Sequence, residues 1–234
     1  MTAKRTEFRI PPKKFQPKGC KIIYEDQDIL VVDKMCGLLT VGNAAEKEKT
    51  AHFILNEYVK KGNHRSKNRV YVVHRIDRDT SGVLVFAKTE RVKQFLQQEW
   101  ANFSKKYNVI VHGTLKEKEG IITSQLLENK AFKVYSVKDP TKGKLAKTGY
   151  KVIKESKGFS LLEIDLFTGR KHQIRVHLSE LGHPVVGDKV YGEKSKGRLA
   201  LNAASLTIIH PHTKEKMTFE TVFPDDFRKL LGGK

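Results

Sequence analysis

The densest chemistry in this chain lies in nine residues, His74 to Gly82, HRIDRDTSG. Two carboxylates, two guanidiniums and an imidazole fall between His74 and Asp79. The flanking runs, Val70–Val73 and Val83–Phe86, are apolar and β-branched, and are expected as buried strands. Asp79 and Gly82 suit the first and fourth positions of a type I turn, with Thr80 and Ser81 between them. Asp77 is then left without a turn role, at a strand end between Arg75 and Arg78. A carboxylate held ionised by neighbouring cations suits a nucleophile or a charge stabiliser. Two other readings compete. One is a solvated turn whose Asp and Arg residues pair with each other, the favoured reading for such a string in isolation. The other is calcium, because Asp77, Asp79, Ser81 and Gly82 follow the D-x-D-x-S-G start of a calcium loop. There the twelfth position should be a bidentate Glu, and it is Lys88.

A second cluster, TGRKHQIRVH, covers Thr168–His177. It is expected to open a helix over 170–181 with Ile174, Leu178 and Leu181 as its apolar face. Arg170, Lys171 and His172 fall at the helix N-terminus, where free N–H groups favour anions and cations oppose the dipole. That placement calls for a compensating anion, an RNA phosphate or a carboxylate of the protein itself. Arg175 lies beside the apolar face, placed to hold a carboxylate at the edge of the core. A basic solvated helix face is the competing reading for this string alone. His172 and His177 are five apart, off one helical face, so a zinc site is not expected.

The elements that must position these clusters are strand-rich. Lys21–Tyr24 and Ile29–Asp33 read as a strand pair turning through 25–28. Thr50 caps a helix over 51–61, and Thr89 another to about Ser104. Lys105–His112 is a strand. Residues 128–147 are a polar, Lys-rich excursion. Tyr150–Lys154 with Phe159–Leu166, and Leu199–Ile209 with Met217–Val222, are hairpins. Hairpins outnumber crossovers, so the expected class is α+β with a largely antiparallel sheet flanked by helices.

The 234 residues suffice for one large domain or two small subdomains. Lys plus Arg number 45 against 26 acids, a formal charge of +19, which points to a polyanionic partner, nucleic acid first. The excess is clustered: seven basic residues within 1–21, seven within 60–78 and nine Lys within 130–157. Residues 1–21 are expected as a basic flexible arm and 225–234 as a short amphipathic tail. Cys20 and Cys36 are too few for a disulfide scaffold or a four-cysteine zinc site. With no long apolar run and a polar, basic N-terminus, the chain reads as cytoplasmic with no membrane partner. A monomer is the default expectation.

Together the two clusters are far more specific than either alone. HRIDRDTSGVLVFAKT followed downstream by TGRKHQIRVHLSELGHPVVGDKVYG strongly resembles the RluA-type family of RNA pseudouridine synthases. IIYEDQDILVVDK, KKYNVIVHG, LALNAASLTIIHP and MTFETVFP agree in order and spacing, so the resemblance runs from about Ile22 to Pro224. It departs at Met35–Cys36, where relatives usually carry Pro and a small residue. The 21 residues before Ile22 are also too few for the small RNA-binding domain that many relatives carry.

The resemblance implies isomerisation of uridine to pseudouridine in ribosomal or transfer RNA, without cofactor or metal, in a cleft across a pseudouridine-synthase-like mixed sheet. By motif match, Asp77 is the nucleophile, Arg175 its ion-pair partner, and Tyr107 the active-site tyrosine that stacks on uracil or removes the carbon-5 proton. A uracil inside a stacked RNA must be flipped out to reach them. Arg75, Arg78, Arg170, Lys171 and His172 are the candidate RNA contacts, with Arg75 bracing the flipped nucleotide. His74 is ranked as a structural hydrogen-bonding residue above a catalytic one. The alternative function is a non-catalytic RNA-binding or ribosome-assembly factor on the same fold. An Asp/His hydrolase lacks a nucleophile elbow and a metal site.

Overall fold

The computed structural model describes residues 8–42, 44–192 and 197–233. Its elements are β1 (Cys20–Glu25), β2 (Ile29–Lys34), α1 (Ala51–Lys60), β3 (Tyr71–Val72), β4 (Ser81–Ala87), α2 (Glu90–Gln98), β5 (Ser104–His112), β6 (Glu119–Glu128), β7 (Val134–Val137), β8 (Lys144–Ser156), β9 (Phe159–Leu166), α3 (Gln173–Glu180), β10 (Leu201–Ile209), β11 (Lys216–Glu220) and α4 (Asp225–Leu230). The strands form one sheet in the order β1-β2-β4-β10-β5-β9-β8-β6-β7, with β3 on β4 and β11 on β10. Among the named strands, β4–β10 is the one parallel pairing; the others are antiparallel, as expected for this α+β class. No helix among the described residues is long and apolar enough to cross a membrane.

The apolar runs in β2 and β4 follow from burial on both faces. Ile29, Val31, Val83 and Val85 pack with Val92 and Leu96 of α2. Leu30, Val32, Leu84 and Phe86 pack on the opposite face with Leu55 and Val59 of α1. Both helices start where a threonine accepts an amide hydrogen bond: Thr50 from Phe53 and Thr89 from Val92. The other half of the sheet carries the largest cluster, where β5, β9 and β10 meet α3 and α4. Phe227 and Leu231 of the amphipathic tail are buried in this cluster, so the tail is part of the core.

The two halves meet at a narrow seam. β4 and β10 share two residue pairs, Ser81–Asn202 and Gly82–Ala203. The Ser81 hydroxyl donates to Asn202 Oδ1 at 2.7 Å. Gly82 has φ +120°, and a Cβ there would stand 2.2 Å from the Ala203 carbonyl oxygen. This corrects the expected turn. The Thr80 amide bonds to the Asp77 carbonyl at 3.2 Å, so the turn runs Asp77–Thr80 and the glycine serves the seam.

Other departures have equally local causes. β3 is two half-buried residues, not a buried strand over 70–73. The α2 helix stops at Gln98, and a 3-10 turn over Trp100–Asn102 leads into β5. The polar excursion contains β7 and the start of β8, joined to β6 by backbone ladders. The α3 helix begins at Gln173, so Arg170, Lys171 and His172 precede it, and Leu181 is 42% exposed. In the N-terminal arm, residues 1–7 lie outside the described residues. From Phe8 onward the arm holds a 3-10 turn, Lys13–Phe15. Gln16 there accepts from the Ile22 amide at 2.7 Å and donates to the Pro11 carbonyl at 2.8 Å.

Candidate active site

The loop between β3 and β4 carries Asp77 and is fastened from beneath. Lys34, fully buried at the end of β2, donates to the carbonyls of Met35, Leu38 and Arg78 at 3.0, 2.7 and 3.1 Å. Burial pulls its ammonium down to about 8. The Thr40 hydroxyl donates to the Ile76 carbonyl at 2.9 Å, and the Gly37 amide to the Arg78 carbonyl at 2.9 Å. His74 stacks on Trp100 with 4.2 Å between ring centres, and its Nε2 accepts from the Val85 amide at 3.1 Å. Burial, with Lys105 nearby, pushes this imidazole down to about 3. A neutral ring accepting a strand amide is a structural part of the loop.

Arg175 rises from α3 into the same space, and its first partner is Asp188. The two form a fork, with Nε to Oδ2 at 2.7 Å and Nη2 to Oδ1 at 2.8 Å. Asp188 is buried, and its Oδ1 also accepts the amides of Val190 and Tyr191. Burial disfavours both charges, yet their pairing outweighs it: Arg175 is raised and Asp188 lowered from their usual values. The remaining guanidinium nitrogen, Nη1, donates to Asp77 Oδ2 at 3.3 Å. Tyr191 completes the cradle. Its ring centre is 5.1 Å from the Arg175 guanidinium carbon, and its hydroxyl bonds His172 Nδ1 at 2.9 Å.

His172 is the hinge between loop and helix, at φ 54°. Gln173 explains why the helix starts after it. Its Oε1 accepts from Thr168 Oγ1 and the Arg170 amide, and its Nε2 donates to the Lys147 carbonyl and Thr148 Oγ1. His172 Nε2 stands 3.9 Å from Asp77 Oδ2. Burial lowers the His172 imidazole below its usual value, opposed by the Asp77 charge.

Tyr107 comes from the middle of the sheet, on β5 opposite Ala203 of β10 and Ile164 of β9. Burial, then the negative charge of Asp77, raises its phenol above the ordinary value. Asp77, Tyr107 and Arg175 line a small inner cavity of about 80 Å³. It shares lining residues with a wider cleft of about 800 Å³, which is lined by all eight residues nominated from sequence. Arg75, Arg78, Arg170 and Lys171 are exposed at the cleft. Arg78 approaches Asp79 at 3.7 Å, Arg170 Nε donates to the Leu145 carbonyl at 3.0 Å, and Lys171 pairs with Glu128.

The sequence reading missed Asp188 and Tyr191. Both lie in GDKVYG, within the quoted second motif, but nothing local marks them as partners of Arg175. Elsewhere, Asp26, Asp28 and His210 gather in the only such metal-ligating group found among the described residues. His210 Nε2 already bonds Asp26 Oδ2 at 2.8 Å, and its Nδ1 accepts the Thr213 amide at 3.1 Å. With both ring nitrogens engaged, the cluster latches the turn after β1 to the end of β10.

Residues 28–180 match the family model described as RNA pseudouridylate synthase. The uncharacterized RNA pseudouridine synthase YhcT of Bacillus subtilis is 37% identical over 216 residues, spanning 89% of this chain and 70% of its own length. Ribosomal large subunit pseudouridine synthase D of Pseudomonas aeruginosa is 33% identical over 229 residues, spanning 90% of this chain and 70% of its own. Human RNA pseudouridylate synthase domain containing 4 shares the fold, with a TM-score of 0.74 at 22% identity over 88% of this chain and 89% of that one. By sequence relationship over most of its length, and by fold, this chain belongs to the RNA pseudouridine synthase family, of the RluA type.

Proposed function

We propose that the protein isomerises uridine to pseudouridine in ribosomal RNA first and transfer RNA second, with Asp77 as its nucleophile. The observation that carries this reading is the convergence of Asp77, Arg175 and Tyr107, from a loop, a helix and a strand, on one cavity. The ribosomal preference is supported by relatives named for the large ribosomal subunit. The charge of +19 suits either RNA.

The target nucleotide leaves its stack, at a cost of about a few kcal/mol. Arg75, exposed beside the nucleophile, meets its phosphate or the vacated stack; Arg78, Arg170 and Lys171 hold flanking backbone, with His172 at the cleft floor. The Tyr107 ring stacks on the uracil. Asp77 attacks the base or the ribose carbon, or assists elimination at the ribose, and the bond from N1 to the ribose breaks. The base turns, carbon 5 bonds to the same ribose carbon, the carbon-5 proton leaves as N1 gains one, and any bond made to Asp77 is broken to return the carboxylate. No electron or group enters from outside. Arg175 stands beside the carboxylate, with its own charge anchored by Asp188. Burial first, and then the nearby Asp77 charge, keep the Tyr107 phenol protonated, which favours stacking over proton removal.

The test is tritium release from RNA labelled at carbon 5 of uridine, using ribosomal and transfer RNA from cells lacking the enzyme. Release by the native protein and none by Asp77→Ala is expected. Equal release by both would remove Asp77 from its role. Tight binding with no release from either pool would favour the non-catalytic RNA-binding reading.

A further inference from the structure

We infer that the turn joining β6 to β7 is a stacking platform for unpaired RNA bases outside the catalytic cavity, with Phe132 at its tip and Phe167 as a second ring. This rests on the reading of the protein as one that binds RNA. Phe132 is 73% exposed, more than any other large apolar side chain among the described residues. It also sits at φ 60°, a region where a bulky residue is strained and Asn or Gly is at ease. The turn does not need an aromatic there. Asn129 builds it, accepting the Ala131 and Lys133 amides on its side chain and the Phe132 amide on its carbonyl. An exposed ring in a strained position, with no structural task in the turn, is suited to an external partner.

The surroundings point to what that partner is. Lys171 donates to the Phe132 carbonyl at 3.2 Å, and the same ammonium lies 5.3 Å from the ring centre. Lys171 lines the cleft, so the turn is fastened to the cleft rim. Phe167, 48% exposed, follows Leu166 of the inner cavity and has Lys147 at 5.3 Å from its ring centre. Lys130, Lys133, Lys138 and Lys144 crowd the same segment. Its acids are already taken, Glu128 by Lys171 and Asp139 by Lys142. Separate aromatic faces set among ammonium groups fit a chain of phosphates carrying planar bases. A protein partner would instead call for a contiguous apolar patch.

The experiment measures binding of a short, unstructured, end-labelled RNA oligonucleotide across a salt series, with native protein, Phe132→Leu, Phe132→Trp and Phe132→Asn. Phe132→Leu should weaken binding about ten-fold, the effect of one lost base stack. The slope of log affinity against log salt should stay the same, because no phosphate contact is removed. Phe132→Trp should bind as tightly as the native protein or more tightly. Phe132→Asn should bind as weakly as Phe132→Leu yet melt at a higher temperature, because the backbone strain is relieved. Leu and Asn variants binding within about two-fold of native, or a Trp variant as weak as Leu, would overturn the platform. Binding is read without catalysis. A native protein that releases no tritium but loses affinity on Phe132→Leu would therefore sink the catalytic reading and keep this one.

Discussion

Replacing Asp188 by Asn tests whether the site is assembled around a buried ion pair. Asp188 is fully buried at its side chain, Arg175 is 9% exposed, and two short hydrogen bonds join them. Removing one charge of a buried pair strands the other, at about 3–5 kcal/mol. Asn can still accept the Val190 and Tyr191 amides, so the low end, roughly 3 kcal/mol, is expected. For a domain of this size each kcal/mol shifts Tm by about 2–4 °C, giving a fall of roughly 6–12 °C. Arg175 would then turn fully towards Asp77, its one remaining carboxylate partner. A displacement of about 1 Å at a reacting group can lower the rate about 100-fold, so kcat should fall by about ten- to a hundred-fold, with KM for RNA changing far less. The assay is calorimetric melting beside single-turnover tritium release. A variant melting within about 2 °C of native and turning over at the native rate would refute the reasoning, because Arg175 would then be held by something other than Asp188.

Two further outcomes follow from single buried groups. The unfolded chain carries ordinary imidazoles, whereas folding pushes His74 down to about 3. Between about pH 6.5 and 3 the unfolded state therefore binds more protons, and stability falls as pH falls through that window, by at most about 1.4 kcal/mol per unit from His74. His177, also lowered by burial, adds in the same direction. Tm should drop between pH 7 and 5, and a flat profile would contradict the neutral rings. Thr80 is buried, and its hydroxyl has no hydrogen-bond partner among the described residues. Thr80→Val should stabilise the fold by about 1 kcal/mol, read as a higher melting temperature; a lower one would mean that the hydroxyl bonds an ordered water.

The parts of the site that were legible in sequence are those set by local rules or by motif. Thr50 and Thr89 announce their helices because a hydroxyl caps the first free amides whatever lies beyond. Asp77, Tyr107 and Arg175 were nominated by resemblance, and their meeting in one cavity depends on contacts such as that between Asp77 and Arg175, 98 positions apart. Gly82 was misread because Asp-x-x-Gly is good turn chemistry, while the true demand comes from Ala203, far along the chain. β7 and the start of β8 were hidden because β7 is only four residues, Val134–Val137, inside a Lys-rich stretch, and β8 opens on the exposed Lys144 and Leu145, so backbone ladders carry them without a hydrophobic period. Asp188 was invisible for the opposite reason: a lone Asp in a loop has no local signature when its partner lies on a helix.

The position of β10 has a consequence for the order in which this molecule is made. It is one of the last strands synthesised, yet it lies between β4 and β5, which precede it by about a hundred residues. Until it arrives, β5 lacks its partner along one edge and β4 lacks its partner at Ser81 and Gly82, the kind of open edge that recruits other chains. Tyr107 and the Asp77 loop also lack the strand that joins their two half-sheets. A ribosome-bound chain stopped before Leu201 therefore has the main side chains of the site but no cleft. Insertion of a late central strand is a long-range closure, so folding should be slow for the chain's size, and competence towards RNA should appear only once the whole sheet has closed.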